Sequence, residues 1–143
     1  MTTASVFATT AAAAESESER SVQTLFWMCR SFLLHAAMRW STHNADSPAL
    51  WPQALTYAEY LFNRTPSMSH GFSPLELLTN VCSDHRDLLR AHVFGAPVYV
   101  LDAALQDGKK LPKFSRRARV GQFLGFSPDH STMVGLVRHL DSN

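Results

Sequence analysis

The chain has few cysteines, and they do not form a pair of the kind that binds a metal or builds a disulfide framework. Cys29 and Cys82 lie far apart and belong to no Cys-x-x-Cys motif. This usage is typical of small buried side chains in a reducing compartment. The seven histidines show neither His-x-x-x-His spacing nor a neighbouring cysteine pair. The sequence therefore predicts no zinc site.

Long apolar runs are also absent. A membrane-spanning helix needs roughly 20 consecutive apolar residues. Residues 25–38 come closest to that length, but Arg30 and His35 interrupt them. The N-terminal residues lack the basic start and the continuous apolar core of a signal peptide. We therefore expect an intracellular protein, nuclear or cytoplasmic, with no membrane partner.

Net charge is low, because 13 Lys and Arg face 12 Asp and Glu in 143 residues. The chain as a whole does not attract DNA or anionic membranes, so an electrostatic partner must be recognised by a local patch. One patch stands out between residues 109 and 119, which we call the basic segment. Its six cations, with no acidic residue among them, are Lys109, Lys110, Lys113, Arg116, Arg117 and Arg119. A nucleic-acid contact, a nuclear-import patch and a solvated loop are all consistent with it.

The first half of the chain has helical periodicity. Residues 1–18 are a low-complexity stretch that reads as a tail or as the lead-in to a helix. Apolar spacing predicts helices at about 19–38 and 49–63, and a Ser-Pro-x-Glu motif at 73–76 predicts a capping box that starts a short helix. We expect the two long helices to pack on each other through Phe26, Leu33, Leu55 and Phe62. Trp51 and His35 are also expected in the core. Trp27 and Leu34 are expected to be partly exposed.

The period changes after residue 89. "AHVFGAPVYVLD", "RVGQFLGF" and "MVGLVRHL" are rich in β-branched and aromatic residues and predict short strands. Such strands suit a small antiparallel barrel, separate from the helices. Helices followed by strands indicate the α+β class. The predicted organisation is a tail at 1–18, a helical unit at 19–89 and a barrel at 90–143.

Several of these segments, in this order, carry a family resemblance. "LWPQALTYAEYLFNRTPS", "LRAHVFGAPVYVLD" and "LPKFSRRARVGQFLGFSP" resemble blocks of the integrase in the Pol polyprotein of copia-type LTR retrotransposons, and the likeness extends over residues 19–128. It implies that residues 19–89 are the helical end of a ribonuclease H-like catalytic core. It also implies that residues 90–143 are a Src-homology-3-like barrel. The family inserts element DNA into a host chromosome.

The resemblance implies one candidate catalytic residue. Family members hold a pair of Mg²⁺ ions with two aspartates and one glutamate, and Glu19, followed by Arg20, matches that glutamate. The alternative is a helix-terminal acid that only favours the helix dipole. All seven aspartates follow Glu19, whereas the family places both of its own before the glutamate. We therefore expect no enzymatic activity and no cofactor in this chain.

The sequence is consistent with two functions. The first is a truncated integrase fragment that contacts the backbone of DNA or RNA through the basic segment, in a role linked to DNA integration. The second is a non-catalytic interaction module, or a decayed transposon remnant without activity. In that case the face of the long helix that formerly covered the core would self-associate or bind another protein.

Overall fold

The computed structural model describes residues 3–40, 47–110, 112–130 and 134–140. Helices come first and strands follow, so the α+β class is confirmed. The elements in chain order are α1 (Thr3–Arg39), a 3-10 turn (Pro48–Leu50), α2 (Trp51–Arg64), α3 (Pro74–Thr79), α4 (Arg86–Leu89), β1 (Pro97–Leu101), α5 (Ala103–Gln106), β2 (Ala118–Phe126) and β3 (Gly135–His139).

Helix α1 is longer than its apolar pattern predicts. Its end at Arg39 agrees with the expected end near Met38, but it begins at Thr3 rather than near residue 19. Residues 11–14 are all alanine, the residue with the highest helix propensity. Propensity therefore extends the helix through residues 3–18, which the sequence left open as a tail or as the lead-in to a helix, and the predicted start near residue 19 is wrong.

Prolines mark both ends of α2, and the capping box predicted at α3 is confirmed. Pro52 lies in the first turn of α2, and Thr65, which precedes Pro66, adopts extended geometry and ends that helix. At α3, Ser73 Oγ accepts a hydrogen bond from the Glu76 N–H at 3.2 Å. Glu76 Oε2 in turn accepts from the Ser73 N–H at 2.8 Å. This reciprocal pair is the predicted capping box.

Glu76 also ties α3 to the loop that follows it. Its side chain is buried, and its second oxygen accepts from the Ser83 N–H at 2.8 Å. His85 Nε2 lies 3.7 Å from that oxygen. The backbone N–H groups of Ser73 and Ser83 favour the carboxylate and hold the pKa of Glu76 at about 2, below its ordinary 4.5.

This pKa predicts an acid-sensitive contribution to stability. Because the folded pKa lies below the unfolded one, the contribution is complete above pH 4.5 and is lost as pH falls towards about 2. We expect Glu76→Gln to be less stable than wild type at neutral pH and to lose this acid dependence. Thermal unfolding between pH 7 and pH 2 measures both effects. Glu59→Gln, a change at an exposed position on α2, is the matched control and should keep the wild-type dependence of stability on pH. If Glu76→Gln and wild type showed the same dependence, the prediction would be contradicted.

The strands form an antiparallel sheet in the order β1-β2-β3. In the first pairing Tyr99 lies opposite Val120 and Leu101 opposite Ala118. A bulge between Phe123 and Gly125 interrupts the second pairing. Within the described ranges the three strands make an open sheet, and they do not close a barrel.

The sheet and the helices share one hydrophobic core. Its buried members are Cys29, Ala36, Leu50, Ala54, Tyr57, Phe94, Phe123 and Leu124. They come from α1, the 3-10 turn, α2, the loop before β1, and β2. The sheet therefore packs on the helices, and the expectation that the strands stand apart from them is wrong for the described residues.

Two glycines allow this close approach. Gly95 has a φ of +80°, and a Cβ there would lie 2.7 Å from the Ala36 Cβ on α1. Gly125, at the bulge, has a φ of +135°, and a Cβ there would lie 3.3 Å from the Tyr57 ring on α2. Both φ values are ones that only glycine adopts easily. The loop before β1 thus contacts α1, and β2 contacts α2, at residues that have no side chain.

The helix contacts differ in part from those predicted. The stripe of α1 that faces the core is Cys29, Phe32, Leu33 and Ala36, at offsets 0, 3, 4 and 7. Phe26 lies beside this stripe and is 56% exposed, so its predicted core position is wrong. Leu33 and Leu55 do pack on the core, and Phe62 is half-buried.

The exposure of other side chains was also predicted, with mixed outcome. Trp27 and Leu34 lie on the opposite side of α1 and are exposed, as predicted. Trp51, at the first position of α2, and His35 are exposed, so their predicted core positions are wrong. Of the two cysteines Cys29 is buried, as expected, and Cys82 is not.

Candidate nucleic-acid interface

The basic segment connects α5 to β2 and is anchored at both ends. Gly108 reverses the chain with a φ of +74°. The Lys109 N–H then donates to the Ala104 carbonyl at 2.9 Å and closes the end of α5. At the other end Ala118 pairs with Leu101 on β1. The described residues of the segment before Ala118 therefore lie between two ordered elements, and Arg119 belongs to β2.

Two acidic side chains compensate two of the six cations. Arg119 Nε donates to Asp102 Oδ2 at 3.1 Å, and Lys109 Nζ lies 3.8 Å from Asp107 Oδ2. The Ala104 N–H, followed by Arg119, lowers the pKa of Asp102 and favours its charged form. The segment itself contains no acidic residue, but Asp102 and Asp107 beside it compensate two of its cations. Sequence reasoning missed Asp102 because the β1–β2 register, rather than chain proximity, brings it to Arg119.

Four cations remain without such a partner. Lys110, Lys113, Arg116 and Arg117 are exposed. No ion pair joins any of them to a carboxylate in the part of the chain that the structure describes. The net positive charge of the segment is therefore concentrated between residues 110 and 117, where it faces solvent.

A tight turn lies in the middle of these four cations. The Ser115 N–H donates to the Pro112 carbonyl at 3.0 Å, and Ser115 Oγ donates to the same oxygen at 2.8 Å. Lys113 and Phe114 occupy the two central positions of this four-residue turn. The Phe114 side chain is 96% exposed. Sequence reasoning missed this residue, although an aromatic side chain interleaved with cations was a visible signal.

Strand β2, which the sequence predicts as a strand, anchors the segment in the core. Phe123 and Leu124 are buried, while Val120 and Phe126 are half-buried. Gln122 is an unexpected member of this strand, since its side chain is only 1% exposed. Neither its amide nitrogen nor its amide oxygen has a hydrogen-bond partner among the described residues.

Glu19 lies far from any helix end. It is an exposed residue within α1, which begins at Thr3. The alternative of a helix-terminal acid is therefore wrong. Among the residues that the structure describes, no group of three or more histidines, cysteines or carboxylates lies close enough together to hold a metal ion. The donor set that the resemblance implies for a Mg²⁺ pair is not assembled there.

A second surface feature is an apolar strip on α1. It consists of Trp27, Leu34 and Met38, which lie on the side of α1 opposite the core-facing stripe and are each more than half exposed. Val22 and Phe26, nearer to the core-facing stripe, are also more than half exposed. Trp27 and Phe26 border a shallow groove that also contains Glu19 and Arg30.

None of the helices in the described ranges combines the length and the apolar character needed to cross a membrane.

Comparison with known proteins adds no further constraint. Neither a family model, nor a curated protein, nor a solved structure matches this chain. The candidate interface is thus defined by its own residues: four exposed cations without carboxylate partners around an ordered turn.

Proposed function

We propose that the chain binds the sugar–phosphate backbone of nucleic acid through the basic segment, as a non-catalytic part of a copia-type retrotransposon integrase. The observation that carries the proposal is the exposed set Lys110, Lys113, Arg116 and Arg117 on an anchored loop. The sequence blocks that resemble the integrase family support the context. In this proposal residues 19–89 derive from the ribonuclease H-like core, and residues 90–143 correspond to the Src-homology-3-like domain, of which the described ranges contain an open three-stranded sheet.

The chemistry of the segment favours phosphates over base edges. Its four cations without a carboxylate partner lie on a loop, whereas a major-groove reader usually presents a helix or a two-stranded ribbon to the bases. Lysine and arginine contacts to phosphates set position and affinity but carry no sequence information. We therefore expect binding to DNA or RNA that depends strongly on salt and weakly on sequence.

The salt dependence gives the test. If the four cations each contact one phosphate, log K should fall with log[salt] with a slope of about −3.6, from roughly 0.9 per contact. Replacing Arg116 and Arg117 together by alanine should reduce the magnitude of that slope by about 1.8 and weaken binding. Titration of a labelled oligonucleotide at several salt concentrations measures both quantities.

A matched control separates local from global charge. Arg20→Ala with Arg39→Ala removes two exposed cations from α1 and changes net charge equally. We expect the control to keep the wild-type slope. Equal weakening by both double variants would show that only net charge matters, and unchanged binding in Arg116→Ala/Arg117→Ala would show that the basic segment is a solvated loop.

The exposed apolar strip of α1 favours a second candidate, a protein-interaction module. Burial of each such side chain against a partner would contribute about 1.5–3 kcal/mol, so the strip is suited to a second copy or to another protein. The same titration separates the candidates. Association through the strip does not depend on Arg116 and Arg117, and a decayed remnant would show neither interaction.

A further inference from the structure

The exposed ring of Phe114 lies among the cations of the basic segment. Lys113 precedes it, and Arg116 and Arg117 follow within three residues. We infer that Phe114 stacks on an unpaired base, so that the segment prefers single-stranded nucleic acid to duplex. This inference rests on the proposed function and specifies the class of nucleic acid that the segment binds.

The turn presents the ring in a defined position. The Ser115 N–H and Oγ both donate to the Pro112 carbonyl, and proline restricts the backbone at the start of the turn. Phe114, at the second central position, therefore projects from a hydrogen-bonded turn. Less conformational entropy is lost when such a ring meets a ligand, because the turn already restricts its backbone.

The surroundings match the requirements of a single-strand site. Such sites combine cations that follow the backbone with aromatic rings on which successive bases stack. Lys110 and Lys113 precede the ring, while Arg116 and Arg117 follow it, so phosphates on either side of a stacked base would meet a positive charge. In a duplex the base faces are stacked on one another, and Phe114 reaches one only where the duplex is open.

The test uses three labelled ligands of about 12 nucleotides: oligo-dT, an abasic strand with the same backbone, and a duplex. Phe114→Ala should weaken oligo-dT binding about tenfold, in line with roughly 1–3 kcal/mol per stacked base. It should change binding to the abasic strand and to the duplex less than about twofold, because neither offers a free base face. Phe114→Trp should restore oligo-dT binding, since indole also stacks.

Controls distinguish failure of this inference from failure of the proposed function. Phe72→Ala removes an exposed phenylalanine outside the basic segment and should leave all three affinities unchanged. If wild type binds with the expected salt slope but Phe114→Ala has no effect, or weakens all three ligands equally, the stacking role is overturned while backbone binding stands. If wild type binds none of the ligands, the proposed function itself fails. Binding to phosphatidylserine vesicles instead of oligonucleotides would also overturn both.

Discussion

Tyr57→Ala should lower the free energy of unfolding by about 3–5 kcal/mol, the range for removal of a large aromatic side chain from a core. Tyr57 is 2% exposed, and its ring contacts five others: Phe32, Tyr60, Phe94, Phe123 and Phe126. These rings come from both helices, from the loop before β1 and from β2. The substitution therefore leaves a cavity where helices and sheet meet. Urea denaturation monitored by circular dichroism measures the loss.

Two further variants isolate the cause. Tyr99→Ala, on β1, removes a tyrosine that is 80% exposed, and it should change stability by less than about 0.5 kcal/mol. Tyr57→Phe keeps the ring but removes the hydroxyl that donates to the His92 carbonyl at 2.5 Å, at a cost of about 1 kcal/mol. A loss in Tyr99→Ala as large as that in Tyr57→Ala would contradict the shared core.

The stability of the protein at alkaline pH gives a second test of the burial of Tyr57. Burial raises the pKa of Tyr57 to about 12 from its ordinary 10. Between these values the unfolded chain releases the phenolic proton while the folded chain retains it, so stability falls as pH rises from about 10 to about 12. Tyr57→Phe should lack this part of the alkaline decline.

Gln122→Met should raise the free energy of unfolding by about 1–3 kcal/mol, which is the cost of burying a polar group without a hydrogen bond. The amide of Gln122 has no partner in the described part of the chain and is almost fully buried. Its nitrogen lies 3.4 Å from the position that a Cβ would occupy at Gly95, where the loop before β1 meets α1. Methionine has a similar volume and a flexible apolar chain, so it removes the unpaired amide without opening a cavity.

The matched control is Gln53→Met, an exposed glutamine near the start of α2. It should change stability by less than about 0.5 kcal/mol. Urea denaturation of both variants and wild type compares their midpoints at constant slope. A less stable Gln122→Met variant would show that the amide is paired in solution and that its polarity supports the fold.

Local sequence determined the elements whose signals are short-range. The Ser73–Glu76 capping box, the end of α2 before Pro66 and the core strand "VGQFLGF" all appear where the residues predict them. The order of helices and strands follows from the change in apolar period near residue 89. The six cations are likewise visible in the sequence, as is their position next to a strand. Each of these features depends on neighbours within a few residues, which is why the sequence alone was sufficient.

Tertiary structure decided which faces meet and which charges remain unpaired. Periodicity placed Phe26 and Cys29 on one apolar side of α1, but only the packing of α2 and the sheet buries Cys29 and exposes Phe26. The β1–β2 register places Asp102 beside Arg119 and so reduces the unpaired cations to Lys110, Lys113, Arg116 and Arg117. Sequence patterns report local geometry, whereas burial and ion pairing depend on contacts between residues that are distant in the chain.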